Sequence, residues 1–192
     1  FPFYFVQLAN FREIEDEPGE SNWAELREAQ SMTLSLPNTG QAVIIDIGEA
    51  EDIHPKNKIQ VGQRLSLLAL KNDYQQDVGV TSGPLYQKAE FAKGVVNITF
   101  THCGTGLKIA EKTALDAPIA STKALNGFQI CGADRQWQWA DAKIIAKNQV
   151  SVSHSAVQQP IEVRYFWTAN IAGKVRLYNS ANLPTSTFTT AK

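Results

Sequence analysis

The residue pattern of this chain changes once, near residue 76, and that change constrains the fold more than any other feature. Before it the segments alternate strand, helix, strand, helix. Phe3 to Leu8 is an apolar run, and residues 12–20, REIEDEPGE, form an acidic loop. Asn22 to about Ser35 reads as a helix, with Asn22 as its cap, Glu25 three residues on as in a capping box, and Leu26, Ala29, Met32 and Thr33 as its inner stripe. Pro37-Asn38-Thr39-Gly40 is a turn. Ala42 to Ile47, AVIIDI, is β-branched with little alternation, the pattern of a parallel strand covered on both faces. Pro55 to Lys71 reads as a second helix with Pro55 at its first position and Ile59, Leu65, Leu68 and Ala69 at helical spacing. Gly62 inside it is unfavourable by about 1 kcal/mol against Ala, which predicts close packing on a sheet.

After Tyr74 the candidates are short strands: Gly94–Phe100, Gly127–Cys131, Trp137–Ile145, Gln149–Ser153, Glu162–Trp167 and Lys174–Tyr178. Gly, Pro and Asn punctuate them, as in an antiparallel β-sandwich. The expected fold class is therefore α/β followed by all-β, with residues 1–75 belonging to a parallel α/β layer and residues 76–192 to a β-sandwich domain.

Composition removes several function classes. Of 192 residues, 18 are Lys or Arg and 19 are Asp or Glu, a net charge of −1. No basic excess drives nucleic-acid or anionic-membrane binding. No apolar run reaches the roughly 18 residues of a membrane span. Two cysteines, Cys103 and Cys131, make neither a disulfide framework nor a Cys-rich zinc module; they form one disulfide or remain two buried thiols. The chain opens on Phe1 within a strand-like run, which reads as a cut made by truncation or processing, so the lack of a leader says nothing about compartment.

The sharpest chemical feature is the turn Glu49 to Lys58, EAEDIHPKNK, at the carboxyl end of an expected parallel strand. Open α/β sheets place ligands at that edge. His54 at a helix N-terminus is disfavoured as imidazolium and suits a general base near neutral pH. Asp52 or Glu51 can orient the ring. The plain alternative is that His54 only caps the helix and Asp52 only meets its dipole.

At this turn the sequence resembles the sialate O-acetylesterase family, within the SGNH hydrolases. FPFYFVQLANF, WAELREAQ and LPNTGQAVIIDIGEAEDIHPKNKIQVGQRLSLLAL carry the resemblance, followed in order by SGPLY, LNGFQICGAD, VRYFW and RLYNSANLPTSTFTT. It covers nearly the whole chain, and IDIGEAEDIHPKNK is its most specific piece. It implies the C-terminal part of an SGNH-type parallel sheet followed by a β-sandwich, and a serine esterase acting on an O-acetylated sugar, with no metal and no organic cofactor. It assigns the base to His54 and the acid to Asp52, with Glu51 as the rival because the general SGNH pattern puts the acid three residues before the histidine. The nucleophile and oxyanion-hole segments have no counterpart here. Gly19-Glu20-Ser21-Asn22 imitates the nucleophile string, but an acidic loop precedes it where a strand is needed, and helix capping explains Ser21.

The resemblance therefore implies a chain inactive alone, a missing N-terminal half of the esterase domain as partner, possible self-association through an exposed sheet edge, and an extracytoplasmic location. The rivals are a noncatalytic carbohydrate-binding or scaffolding module and an acetylxylan-type esterase. For the first, Trp137 and Trp139 are candidate sugar-stacking residues, although core packing is the more ordinary role. His102 and Cys103 suggest a metal pair without further ligands nearby, Asn97-Ile98-Thr99 is a glycosylation sequon inside a strand, Lys56 and Lys58 flank the candidate site, and Arg164 and Arg176 salt-bridge or face solvent.

Overall fold

The computed structural model describes residues 1–113, 115–171, 173 and 175–191. It is mostly β-sheet with two helices. In chain order the elements are β1 (Phe3–Val6), α1 (Asn22–Met32), a 3-10 turn (Thr33–Ser35), β2 (Thr39–Ala42), α2 (Lys58–Asn72), β3 (Leu85–Ala92), β4 (Val95–Thr101), β5 (Leu107–Glu111), β6 (Ile119–Ala120), β7 (Phe128–Cys131), β8 (Gln138–Trp139), β9 (Asp141–Ala146), β10 (Gln149–Ser153), β11 (Glu162–Tyr165), β12 (Val175–Asn179) and β13 (Phe188–Thr189).

Among the described residues only β1 and β2 pair in parallel, with Phe3 opposite Thr39 and Val6 opposite Ala42. The other strands form three antiparallel sheets in the orders β3-β4-β10-β9, β13-β11-β7-β8 and β12-β5-β6. Alternation decides which faces meet. Val96, Ile98 and Phe100 on β4 and Val150 and Val152 on β10 point one way. They share one buried cluster with Phe128, Ile130, Val163, Tyr165 and Phe188 of the facing strands. Phe188 stacks on Tyr86 with ring centroids 4.7 Å apart and meets Phe100 edge-on, which closes that core with aromatic area. Every residue of β12 is buried, so that strand is covered on both faces.

The helical expectations needed correction in both helices. Ser21, not Asn22, caps α1: its hydroxyl accepts from the Ala24 backbone N–H. This shifts the frame, so Glu25 is not the capping-box partner. The inner stripe is wrong too, because Leu26 and Met32 are exposed while Ala24 and Arg27 are buried. Helix α2 starts at Lys58 behind the cap Asn57, whose side chain accepts from Gln60 N–H, so Pro55 lies in the preceding loop. Ile59 is exposed, and a Cβ on Gly62 would meet nothing within 4 Å, so no close sheet contact requires that glycine.

Among the strands, β10 matches the expected span, and β4, β7 and β11 match within two residues. Trp137–Ile145 is broken at Ala140 into β8 and β9. The expected Lys174–Tyr178 strand appears as β12; its first residue, Lys174, lies outside the described residues. AVIIDI is the main difference: β2 ends at Ala42, and Val43 to Ile47 form a buried turn in which Ile47 N–H donates to the Ile44 carbonyl at 3.3 Å. The β-branched run recorded burial, not extended pairing.

The helical segment and the later strands meet along a polar seam. The fully buried Arg27 donates from Nε to the Leu8 carbonyl at 3.0 Å, from Nη1 to Thr168 at 2.7 Å, and from Nη2 to Ala9 at 2.7 Å and Ala169 at 3.2 Å. Arg164, also buried, reaches the Gly19 carbonyl at 2.7 Å and Gln129 Oε1 at 2.5 Å. The Trp139 indole N–H donates to the Asp16 carbonyl at 2.7 Å.

Candidate active site

Residues 43–57 connect β2 to α2 and carry the candidate chemistry. Their base is fixed by an ion pair. Arg64, on the buried side of α2, forks onto Asp46 with Nη1–Oδ1 at 2.6 Å and Nη2–Oδ2 at 2.7 Å. Its Nη1 also donates to the Val43 carbonyl at 2.6 Å. Both charged groups are almost wholly buried. The bidentate geometry and the added carbonyl meet the condition under which a buried pair holds a fixed geometry. Tyr178 on β12 donates its hydroxyl to Asp46 Oδ2 at 3.3 Å, linking this turn to the strands. Gly48 follows, its N–H donating to Asn10 Oδ1 at 2.8 Å. A Cβ there would sit 2.0 Å from the Asn10 carbonyl oxygen, so the close approach admits only glycine.

The loop then turns outward. Glu49 pairs with Lys56 at 2.7 Å, and that contact holds the Glu49 carboxyl below its ordinary range. Asp52 Oδ1 accepts the His54 backbone N–H at 2.8 Å and lies 3.4 Å from His54 Nδ1. The backbone hydrogen bond, with the imidazole and Lys56 nearby, holds Asp52 below the usual carboxylate range. The structure thus brings Asp52 and His54 together. It brings no Glu51 contact to the imidazole. Facing Nδ1 to Asp52 leaves Nε2 directed away from it, and the His54 side chain is 82% exposed.

Position corrects one expectation. With α2 capped at Asn57, His54 is outside the first helical turn, where the dipole effect is concentrated, so the helix-terminus argument for a neutral ring loses its geometric basis. No hydroxyl or thiol among the described residues hydrogen-bonds to the imidazole. Ser21 is buried and occupied as a helix cap.

The remaining sequence candidates fall into packing roles. Trp137 lies under the Arg164 guanidinium at 3.8 Å and Trp139 tethers the acidic loop, so the two indoles do not form one open face. Cys103 and Cys131 are both buried free thiols. His102 is exposed, its Nδ1 2.9 Å from Thr101 Oγ1, and among the described residues no group of three or more His, Cys, Asp or Glu side chains gathers around a metal-sized space. Asn97 sits within β4, flanked by β3 and β10. Lys56 is taken by Glu49; Arg164 is buried and salt-bridges to Glu20 at 3.4 Å, and Arg176 is buried. No described helix is long and apolar enough to cross a membrane.

Sequence reasoning missed the Asp46–Arg64 pair. Its signal was present: a lone acid inside AVIIDI, and an arginine one residue from the apolar stripe of the following helix.

No family model matches the chain. Over 184 residues it is 26% identical to a sialate O-acetylesterase of Mus musculus and 27% identical to one of Pongo abelii, in each case across 88% of this chain. A human sialate O-acetylesterase is 26% identical over 187 residues. A solved structure, a carbohydrate acetylesterase from Xanthomonas citri, superposes on the whole chain with a TM-score of 0.86 at 42% identity, and the chain covers 41% of it. The chain spans about a third of the curated relatives, 31% and 32% of the first two. The superposition runs over the whole chain, and in sequence and in fold the chain is similar to sialate O-acetylesterases and to a carbohydrate acetylesterase.

Proposed function

We propose that this chain is the base-bearing part of a serine carbohydrate esterase that hydrolyses O-acetyl esters of sugars, with His54 as the general base and Asp52 as the acid that orients it. The observation that carries this is the Asp52–His54 pair, 3.4 Å apart and open to solvent, on a loop anchored by the buried Asp46–Arg64 fork. A carboxylate on Nδ1 fixes the tautomer and stabilises the imidazolium formed when Nε2 takes a proton from an attacking hydroxyl. The serine would come from outside these 192 residues and form an acyl-enzyme that water then cleaves, without metal or organic cofactor.

On this reading β1, β2, α1 and α2 (residues 1–75) are the end of an SGNH-type parallel sheet, and residues 76–192 are a β-sandwich domain. Exposed apolar side chains support a partner for the first part: Phe3 is 52% exposed, Met32 70% and Ile59 76%. The rest of the esterase domain would cover them; in its absence the same surface would favour self-association. The family resemblance favours an extracytoplasmic location.

The test is acetate release from O-acetylated sialic acid and from acetylated xylan oligomers. It compares these 192 residues alone with the longest polypeptide encoded around them. Activity confined to the longer chain and abolished by His54→Ala supports the reading, and the preferred sugar identifies the substrate class. Hydrolysis by the 192 residues alone would refute the division of the triad.

A further inference from the structure

A cavity of about 280 Å³ opens beside the start of the β2–α2 loop, lined by Asn10, Ile14, Ile45, Asp46, Asn170 and Arg176 among others. Its charge is unbalanced. Asp46 is engaged by Arg64. Lys112 also lines the cavity and gives its ammonium to the Thr113 and Asp116 carbonyls. Arg176 is 95% buried, yet among the described residues it meets no carboxylate within ion-pair distance. Among the described residues its one hydrogen bond runs from Nη1 to the Val175 carbonyl at 2.9 Å, and its Nε, closed off from the cavity, has no partner. A guanidinium presents five donors in a planar fork, and a buried cation with idle donors is costly unless an anion meets it. The Phe166 ring, 4.9 Å from the guanidinium carbon, covers a face of the fork and leaves its edge for hydrogen bonding.

We propose that this cavity binds a small organic monocarboxylate, gripped through Arg176. A carboxylate oxygen can accept from Nη2, the terminal nitrogen that carries no protein hydrogen bond among the described residues. Asn10 and Asn170 add amide groups at the wall, and Ile14, Ile45 and Ile171 accept a short apolar tail. The proposal goes beyond the esterase reading and does not use His54.

The test is calorimetric titration of the longest encoded polypeptide with sodium acetate and sodium propionate at constant ionic strength, against sodium chloride. A ligand of four or five heavy atoms should saturate with a Kd of roughly 0.1–10 mM. Arg176→Gln should weaken binding by roughly ten- to a hundredfold. Since that buried substitution can disturb folding, Ile14→Glu is the second variant: its side chain is half exposed, and it adds a negative charge to the cavity lining. It should weaken binding by at least about tenfold with an unchanged circular-dichroism spectrum. His54→Ala should bind as the parent does. Absence of saturation by roughly 50 mM, equal binding by the parent and Ile14→Glu, or loss of binding in His54→Ala would each overturn the proposal.

Discussion

Replacing Arg27 by Met should be among the most damaging single changes to stability. The side chain is fully buried and its guanidinium donates to four backbone carbonyls on two separate stretches of chain. Burial, then the charge of Arg176, lowers its pKa to about 9, which still leaves it charged at pH 7. The four acceptors are not equal. The Ala9 carbonyl keeps the Trp23 indole N–H at 2.8 Å, and the Ala169 carbonyl keeps the Phe11 N–H at 3.2 Å. Among the described residues the Leu8 and Thr168 carbonyls keep no such partner. Two stranded carbonyls cost about 1–3 kcal/mol each. Two lost charge-assisted bonds add to this, and relief from burying a cation subtracts from it. The expected destabilisation is about 3–5 kcal/mol, a large share of a stability of about 5–15 kcal/mol. Urea unfolding followed by fluorescence measures it, with Ala29→Gln on the exposed face of the same helix as control, expected within about 0.5 kcal/mol. A loss below about 1 kcal/mol for Arg27→Met would refute the reasoning, because it would mean that water reaches those carbonyls.

Three further outcomes are expected. Asp46→Ala should destabilise by about 3–5 kcal/mol because it strands the buried Arg64 guanidinium, and Asp46→Leu/Arg64→Leu should recover part of that loss in the same unfolding assay. Burial, then the Glu162 charge, pushes the Cys131 thiol up to about 11 against an unfolded value near 9, so its stabilising contribution is complete below pH 9 and is lost as pH rises toward 11. Native Cys131 should therefore resist iodoacetamide at pH 8 and react on unfolding; fast native alkylation would contradict its placement. The depressed Asp52 carboxyl makes its contribution above the ordinary carboxylate range and loses it as pH falls through its lower native value, so its carboxyl carbon, followed by NMR, should titrate below the exposed acids, and a midpoint at or above theirs would count against the His54 N–H contact.

Alternation made β4 and β10 legible in the sequence, because one face of each is core and period two survives. The edge strand β3 was not legible: only Leu85, Tyr86 and Ala89 are even partly buried, so LYQKAEFA carries little pattern. The helical segment misled for a different reason. Its buried positions include Arg27 on α1 and Arg64 on α2, and an apolar stripe cannot report a polar one. The candidate pair His54 and Asp52 was named through the family resemblance, because the general spacing pointed to Glu51, whereas the polar neighbours that hold its loop, Asp46, Arg64 and Asn10, converge only in three dimensions.

The seam beneath α1 has one more implication. Arg27 reads the path of the main chain at Leu8, Ala9, Thr168 and Ala169, not the identities of those residues. Side-chain replacement leaves a carbonyl oxygen where it was, so tolerance across this seam should be one-sided. A saturation scan should find position 27 closed to nearly every alternative and its four acceptor positions open to residues of similar size.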